Sequence, residues 1–104
     1  MAVRQATDAS FSELIREGVC VVDFYSTHCG PCRLLLPKLM NLEAEFPFIQ
    51  LIKVNTDECP GLATEYKIYT LPTVYLCKDG RMDEYKGALD PESLRQAVGK
   101  LLYE

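Results

Sequence analysis

Two short apolar runs, Val19 to Tyr25 and Ile49 to Val54, bracket a segment whose apolar residues fall at helical spacing. No other feature limits the fold as much. Each run is nearly continuous rather than alternating, the pattern of a strand buried on both faces of a sheet. Between them Leu35, Leu39, Leu42 and Phe46 recur at near-helical spacing, with Lys38, Asn41 and Glu45 on the other side. Strand, helix and strand in that order predict a right-handed crossover between parallel neighbours. The fold class is therefore α/β.

The flanking segments extend this frame. Ser10-Phe11-Ser12-Glu13 reads as a capping box, opening a helix with Phe11, Leu14 and Ile15 on one face and a stop at Gly18. Cys59 to Tyr66 is a short helical stretch. Thr73 to Cys77 and Met82 to Lys86 flank Lys78-Asp79-Gly80-Arg81, where Asp-Gly signals an antiparallel hairpin. A last helix starts at Asp90 as N-cap with Pro91 in the first turn, and Leu94, Ala97, Val98 and Leu101 face inward. The expectation is a central mixed β-sheet, parallel at its centre and antiparallel at one edge, flanked by helices on both faces. With 104 residues, no repeat and no linker, the chain forms a single domain, 1–104.

Composition narrows the function by exclusion. Net charge is −4 with the two signs interspersed, so there is no basic face for nucleic acid. No apolar run nears the roughly 20 residues that span a bilayer. Met1 to Asp8 lacks the apolar core of a secretory signal, which predicts a cytoplasmic protein without a membrane partner. Five cysteines (Cys20, Cys29, Cys32, Cys59 and Cys77) are an odd number at open spacing, unlike a secreted disulfide scaffold. Reduced thiols with one close redox pair fit better.

That pair is Cys29-Gly30-Pro31-Cys32, set between the end of a strand and the start of a helix. Unpaired N–H groups and the positive end of the helix dipole favour a thiolate there, and thiolate is the attacking species in disulfide exchange. Pro31 pre-sets the first turn, and Gly30 lets a partner backbone approach closely. Two intervening residues keep the sulfurs close enough to bond. Cys29, the more exposed, attacks a substrate disulfide, and Cys32 resolves the mixed disulfide. A zinc site needs a second ligand pair, and the one histidine, His28, does not supply it. A purely structural disulfide would close too short a loop to stabilise much.

In one register over essentially the whole chain, several segments resemble the thioredoxin family. They are Val21-Val22-Asp23-Phe24-Tyr25 before the cysteines, Pro37 in the following helix, Thr70-Leu71-Pro72-Thr73, the Asp79-Gly80 turn and Gly87. The resemblance implies a thioredoxin-like fold and a thiol–disulfide oxidoreductase that reduces disulfides in target proteins. It also implies a monomer with no bound cofactor, recycled by an NADPH- and FAD-dependent thioredoxin reductase. Cys29 is then the nucleophile, Cys32 the resolving thiol, and Asp23 the buried carboxylate that moves the proton of Cys32. Lys53 is the partner of Asp23, and Pro72 is cis, facing the cysteines. The backbone before Pro72, at Leu71, takes an extended substrate segment, with Gly30, Pro31 and His28 beside it. Independently of family, a carboxylate among Val21, Val22 and Phe24 is expected to be desolvated, with its pKa raised.

The chain departs from the family pattern at two aromatic positions. His28 stands where Trp usually precedes the first cysteine, Tyr25 occupies another common Trp position, and the chain has no Trp. A protonated His28 would favour the Cys29 thiolate and raise the reduction potential, whereas a neutral one would do little and simply stand as an exposed polar residue at the rim. Arg33 reads as a solvated first-turn residue, Cys20 and Cys77 as small core residues, and Cys59, before Pro60, as exposed. Two other functions stay open. One is a disulfide oxidase or isomerase of raised potential. The other is a non-enzymatic binding module, against which the intact Cys29/Cys32 pair argues.

Overall fold

In the computed structural model, which describes residues 1–104, strand β2 (Val19–Tyr25) runs through the centre of a five-stranded sheet. It pairs in parallel with β3 (Gln50–Asn55) and antiparallel with β4 (Thr73–Lys78). β3 pairs in parallel with an edge strand, β1 (Ala2–Gln5), and β4 antiparallel with the opposite edge, β5 (Arg81–Tyr85). The sheet is mixed, as its sequence patterning implies.

Strand parity divides the core into two halves. Cys20, Val22 and Phe24 of β2, with Ile52 and Val54 of β3, face α1 (Phe11–Leu14) and α3 (Pro60–Glu65). Val21 of β2, Leu51 of β3 and Val74 of β4 face the other way. They meet Leu35 and Leu39 of α2 (Gly30–Met40) and Leu94 and Val98 of α4 (Pro91–Leu102). Helices thus cover both faces, and burying each such side chain stabilises the fold by roughly 1.5–3 kcal/mol. Leu42 and Phe46 join this second half as expected, but from a 3-10 turn (Asn41–Ala44) and the segment after it. The long amphipathic pattern is therefore one helix followed by a tighter turn.

The turn chemistry at the chain's end is as expected. Asp90 Oδ1 accepts from Ser93 N at 2.9 Å, capping α4. Asp79 and Gly80 have φ of 50° and 86°, the left-handed pair that a two-residue hairpin requires. Asp79 also clasps Gly18: its amide donates to the Gly18 carbonyl at 2.9 Å and its Oδ1 accepts from Gly18 N at 2.8 Å.

One local expectation is corrected. The capping box is not formed, because Ser10 Oγ accepts instead from Thr7 N at 2.9 Å and Thr7 Oγ1 at 3.1 Å. α1 accordingly lasts one turn and ends well before Gly18. β1 is a strand without a sequence signal: all four residues are exposed, and backbone pairing to β3 holds it.

Candidate active site

β2 and β3 change character as they run towards the N-terminus of α2. The parity that places Val21 and Leu51 in the core continues with Asp23 and Lys53, and then with Tyr25 and Asn55. Polar side chains thus emerge where two parallel strands end beneath a helix N-terminus, the usual place for a site in α/β sheets.

Above them, Cys29 is the N-cap of α2, with extended backbone, and its Sγ accepts from the amide of Cys32 at 3.2 Å. Pro31 occupies the first turn, where its missing N–H costs nothing. Cys29 and Cys32 are joined as a disulfide, their Cα atoms 5.3 Å apart. Both are buried, Cys29 keeping 7% exposure against 4% for Cys32, while His28, Gly30 and Pro31 around them are exposed. Pro37 lies inside α2 and cannot donate to the Arg33 carbonyl one turn back.

Asp23 is 1% exposed, and its Oδ1 has no hydrogen-bond partner. Burial pushes its carboxyl up to about 6, only partly opposed by the positive charge of Lys53. Lys53 stands directly opposite Asp23 in the β2–β3 register. It makes no ion pair with the carboxylate within 4 Å, and its Nζ lies 4.8 Å from the centroid of the Tyr25 ring. The Tyr25 hydroxyl donates to Gln5 Oε1 at 3.1 Å, and Gln5 Nε2 donates to the Lys53 carbonyl at 3.3 Å.

A cleft of about 260 Å³ leads to Asp23, with Cys32, Arg33, Leu36, Lys53 and Asn55 among its lining. The loop between β2 and α2 is pinned at its edge. Asn55 Nδ2 donates to Thr27 Oγ1 at 3.1 Å, Arg33 Nη2 to the Thr27 carbonyl at 3.3 Å, and Thr27 N to Asp57 Oδ2 at 3.3 Å. Arg33 is thus exposed but engaged. On the other side of β2 the Leu71–Pro72 peptide is cis, and Thr73 pairs with Phe24. That register sets Leu71 and Pro72, both half-buried, beside the C-terminal end of β2.

The remaining cysteines are core residues. Cys20 and Cys77 face each other across β2 and β4, fully buried, with their Sγ atoms donating to the carbonyls of Leu14 and Ile15. Burial pushes the Cys20 thiol up to about 11 and raises Cys77 too. The expected exposure of Cys59 is corrected: it is 1% exposed, with Sγ turned inward to the Ala6 carbonyl at 3.6 Å. As N-cap of α3 it sits in a polar turn while its side chain enters the core. No group of three or more His, Cys, Asp or Glu side chains is arranged to hold a metal.

Sequence reasoning did not single out Gln5, Thr27 and Asn55, and took Tyr25 only as an altered aromatic. Strand parity was the available signal, since Tyr25 and Asn55 each lie two residues beyond Asp23 and Lys53.

Comparison with known proteins gives the same answer along the whole chain. The Thioredoxin family model matches residues 2–100. A thioredoxin of Staphylococcus aureus is 36% identical over 104 residues, covering 98% of this chain and 100% of that protein. The oxidised mitochondrial thioredoxin 3 of Saccharomyces cerevisiae matches with a TM-score of 0.81 at 31% identity, covering 95% of this chain and 94% of that one. Fasciola hepatica thioredoxin matches with a TM-score of 0.80 at 34% identity, covering 96% and 98%. A bonded cysteine pair at the head of α2 supplies the chemistry that goes with these likenesses. The chain therefore belongs to the thioredoxin family, as a thiol–disulfide oxidoreductase that reduces protein disulfides.

Proposed function

We propose that the chain is a general reductant of protein disulfides in which Cys29 attacks, Cys32 resolves and Asp23 handles the proton. The observation that carries this reading is the bonded Cys29–Cys32 pair at a helix N-terminus, above a buried carboxylate whose Oδ1 has no hydrogen-bond partner. In the reduced enzyme the Cys29 thiolate attacks one sulfur of a target disulfide, and the other sulfur leaves as a thiolate that takes a proton. Cys32 gives its proton to the Asp23 carboxylate and attacks Cys29 Sγ. The mixed disulfide breaks, Cys29–Cys32 bonds, and the target departs as a dithiol carrying two electrons.

A carboxyl pushed to about 6 is mostly ionised at neutral pH, yet basic enough to accept a proton from a thiol. Lys53 tempers that basicity through its charge. Exposed Gly30 and Pro31, with Leu71 and Pro72 beside the end of β2, form the rim for an extended target segment, and His28 borders it. Electrons come from NADPH through a flavin-dependent thioredoxin reductase, so the chain itself carries no cofactor. We take the chain to act as one domain and as a monomer in the cytoplasm, a compartment that suits three unpaired cysteines beside a single disulfide.

The test is insulin reduction by dithiothreitol with wild type, Cys29→Ser, Cys32→Ser and Asp23→Asn. Wild type should accelerate precipitation, both serine variants should not, and Asp23→Asn should be slowed most at neutral pH. Equal behaviour of wild type and both serine variants would sink the reading. A markedly oxidising Cys29–Cys32 potential would move it towards an oxidase or isomerase.

A further inference from the structure

The register of β2 and β3 poses a question that the proposed chemistry leaves open. Asp23 and Lys53 are direct neighbours on one face of adjacent parallel strands. Strands in a sheet lie about 4.8 Å apart, well within reach of a lysine's four-carbon stem. An ion pair is the expected outcome for a buried carboxylate, since an unpaired buried charge is costly. Instead Oδ1 of Asp23 has no partner, and the ammonium of Lys53 lies over the ring of Tyr25, the next residue along the same face of β2.

That ring is held from behind. The Tyr25 hydroxyl donates to Gln5 Oε1 on β1, and the Gln5 amide donates to the backbone carbonyl of Lys53 itself. Gln5 pairs with Lys53 in the β1–β3 register, so three neighbouring strands close a small ring of contacts around the lysine. We propose that Tyr25 is a positioning residue whose ring, fixed by Gln5, parks the Lys53 ammonium away from Asp23 and leaves that carboxylate free to take up the Cys32 proton. This rests on the proton-transfer role given to Asp23 above. A tight pair would hold the carboxylate ionised and make it a poorer base, whereas a lysine one ring away lowers its proton affinity only in part. The other groups on the Asp23 cleft are Cys32 and Arg33 from α2 and Asn55 from β3, and β4 places only Val74 opposite.

The test follows the oxidised protein by NMR, reading the Asp23 side-chain carboxyl against pH and the Lys53 ε-methylene protons. In wild type the ε-methylene protons should be shifted upfield by the Tyr25 ring current. Tyr25→Leu should abolish that shift and lower the Asp23 midpoint by about one pH unit as the ammonium closes on the carboxylate. In a Lys53→Met background, Tyr25→Leu should leave the midpoint where Lys53→Met alone set it. Tyr25→Phe and Gln5→Ala, which keep the ring and release its anchor, should give smaller changes of the same sign, and they carry the test if Tyr25→Leu does not fold. An unshifted Lys53 methylene in wild type overturns the proposal. So does a midpoint that moves equally with and without Lys53, or one unmoved by all three variants. The titration reports the surroundings of Asp23 whether or not it carries the proton; that role is tested separately by the Asp23→Asn rate.

Discussion

The backbone N–H of Cys32 points at the sulfur of Cys29, 3.2 Å away, across the small ring that their disulfide closes. When the disulfide is reduced, that donor and the free N-terminal amides of α2 favour negative charge on Cys29. At pH 7, iodoacetamide should therefore alkylate Cys29 at least about tenfold faster than an unperturbed cysteine peptide. Peptide mapping after short exposure checks this, and preferential labelling of Cys32 would overturn the assignment.

If Cys29 attacks and Cys32 resolves, Cys32→Ser should accumulate stable mixed disulfides through Cys29. Cys29→Ser should form few or none. Mass spectrometry of protein incubated with oxidised insulin distinguishes the two. Equal trapping by both variants would mean that either sulfur can open the target.

The folded protein holds Asp23 at a pKa of about 6 against an ordinary value of 3.8. The native state therefore binds more protons than the unfolded chain between those values, so stability falls as pH rises through this window. The cost is fully present above about pH 6 and absent below 3.8. Asp23→Ala should accordingly stabilise the oxidised protein by roughly 2–3 kcal/mol at pH 8, with the advantage shrinking towards pH 4. Urea unfolding across that range is the measurement. A benefit independent of pH would mean that packing, not ionisation, is responsible.

Cys20, Cys59 and Cys77 are each at most 1% exposed, and burial raises all three thiols. In reduced native protein only Cys29 and Cys32 should react promptly with a disulfide reagent, the other three following at the rate of unfolding. Thiol counts before and after adding guanidinium check this, and a third fast thiol would contradict the inward placement of Cys59.

His28 is exposed beside Cys29. His28→Trp should change reduction rates of different target proteins more than it changes the Cys29–Cys32 potential, because it alters the docking rim and leaves the helix N-terminus intact. Stopped-flow rates and glutathione-equilibrated potentials separate the two effects. Unaltered rates with a shifted potential would reverse the assignment.

How much of this was legible in the sequence depended on where the information lay. β2, α2, the Asp79-Gly80 hairpin and the Asp90 cap carry their instructions within a few residues, as apolar run, helical spacing or turn chemistry. β1 does not: Ala2–Gln5 is exposed throughout and becomes a strand only because β3 offers it partners. Ser10 was misread because Thr7, three residues before it, competes for its hydroxyl. Cys59 follows a polar turn that signals exposure, yet the start of α3 turns its side chain inward. The contacts of Gln5, Tyr25 and Lys53 join strands far apart in the chain. Only the parallel register brings them together.

The register also has a consequence in time. Asp23 is flanked by Lys53 on one side and by Val74 on the other, and Val74 belongs to the strand that is made last around it. Both cysteines precede β4 in the chain, so any state in which β4 is unpaired would leave β2 as an open edge and Asp23 without one wall of its dry surroundings. In such a state the two thiols would stand over an acid whose proton affinity burial raises less. The raised carboxyl of Asp23 is therefore a property of the closed sheet and not of its immediate sequence neighbours.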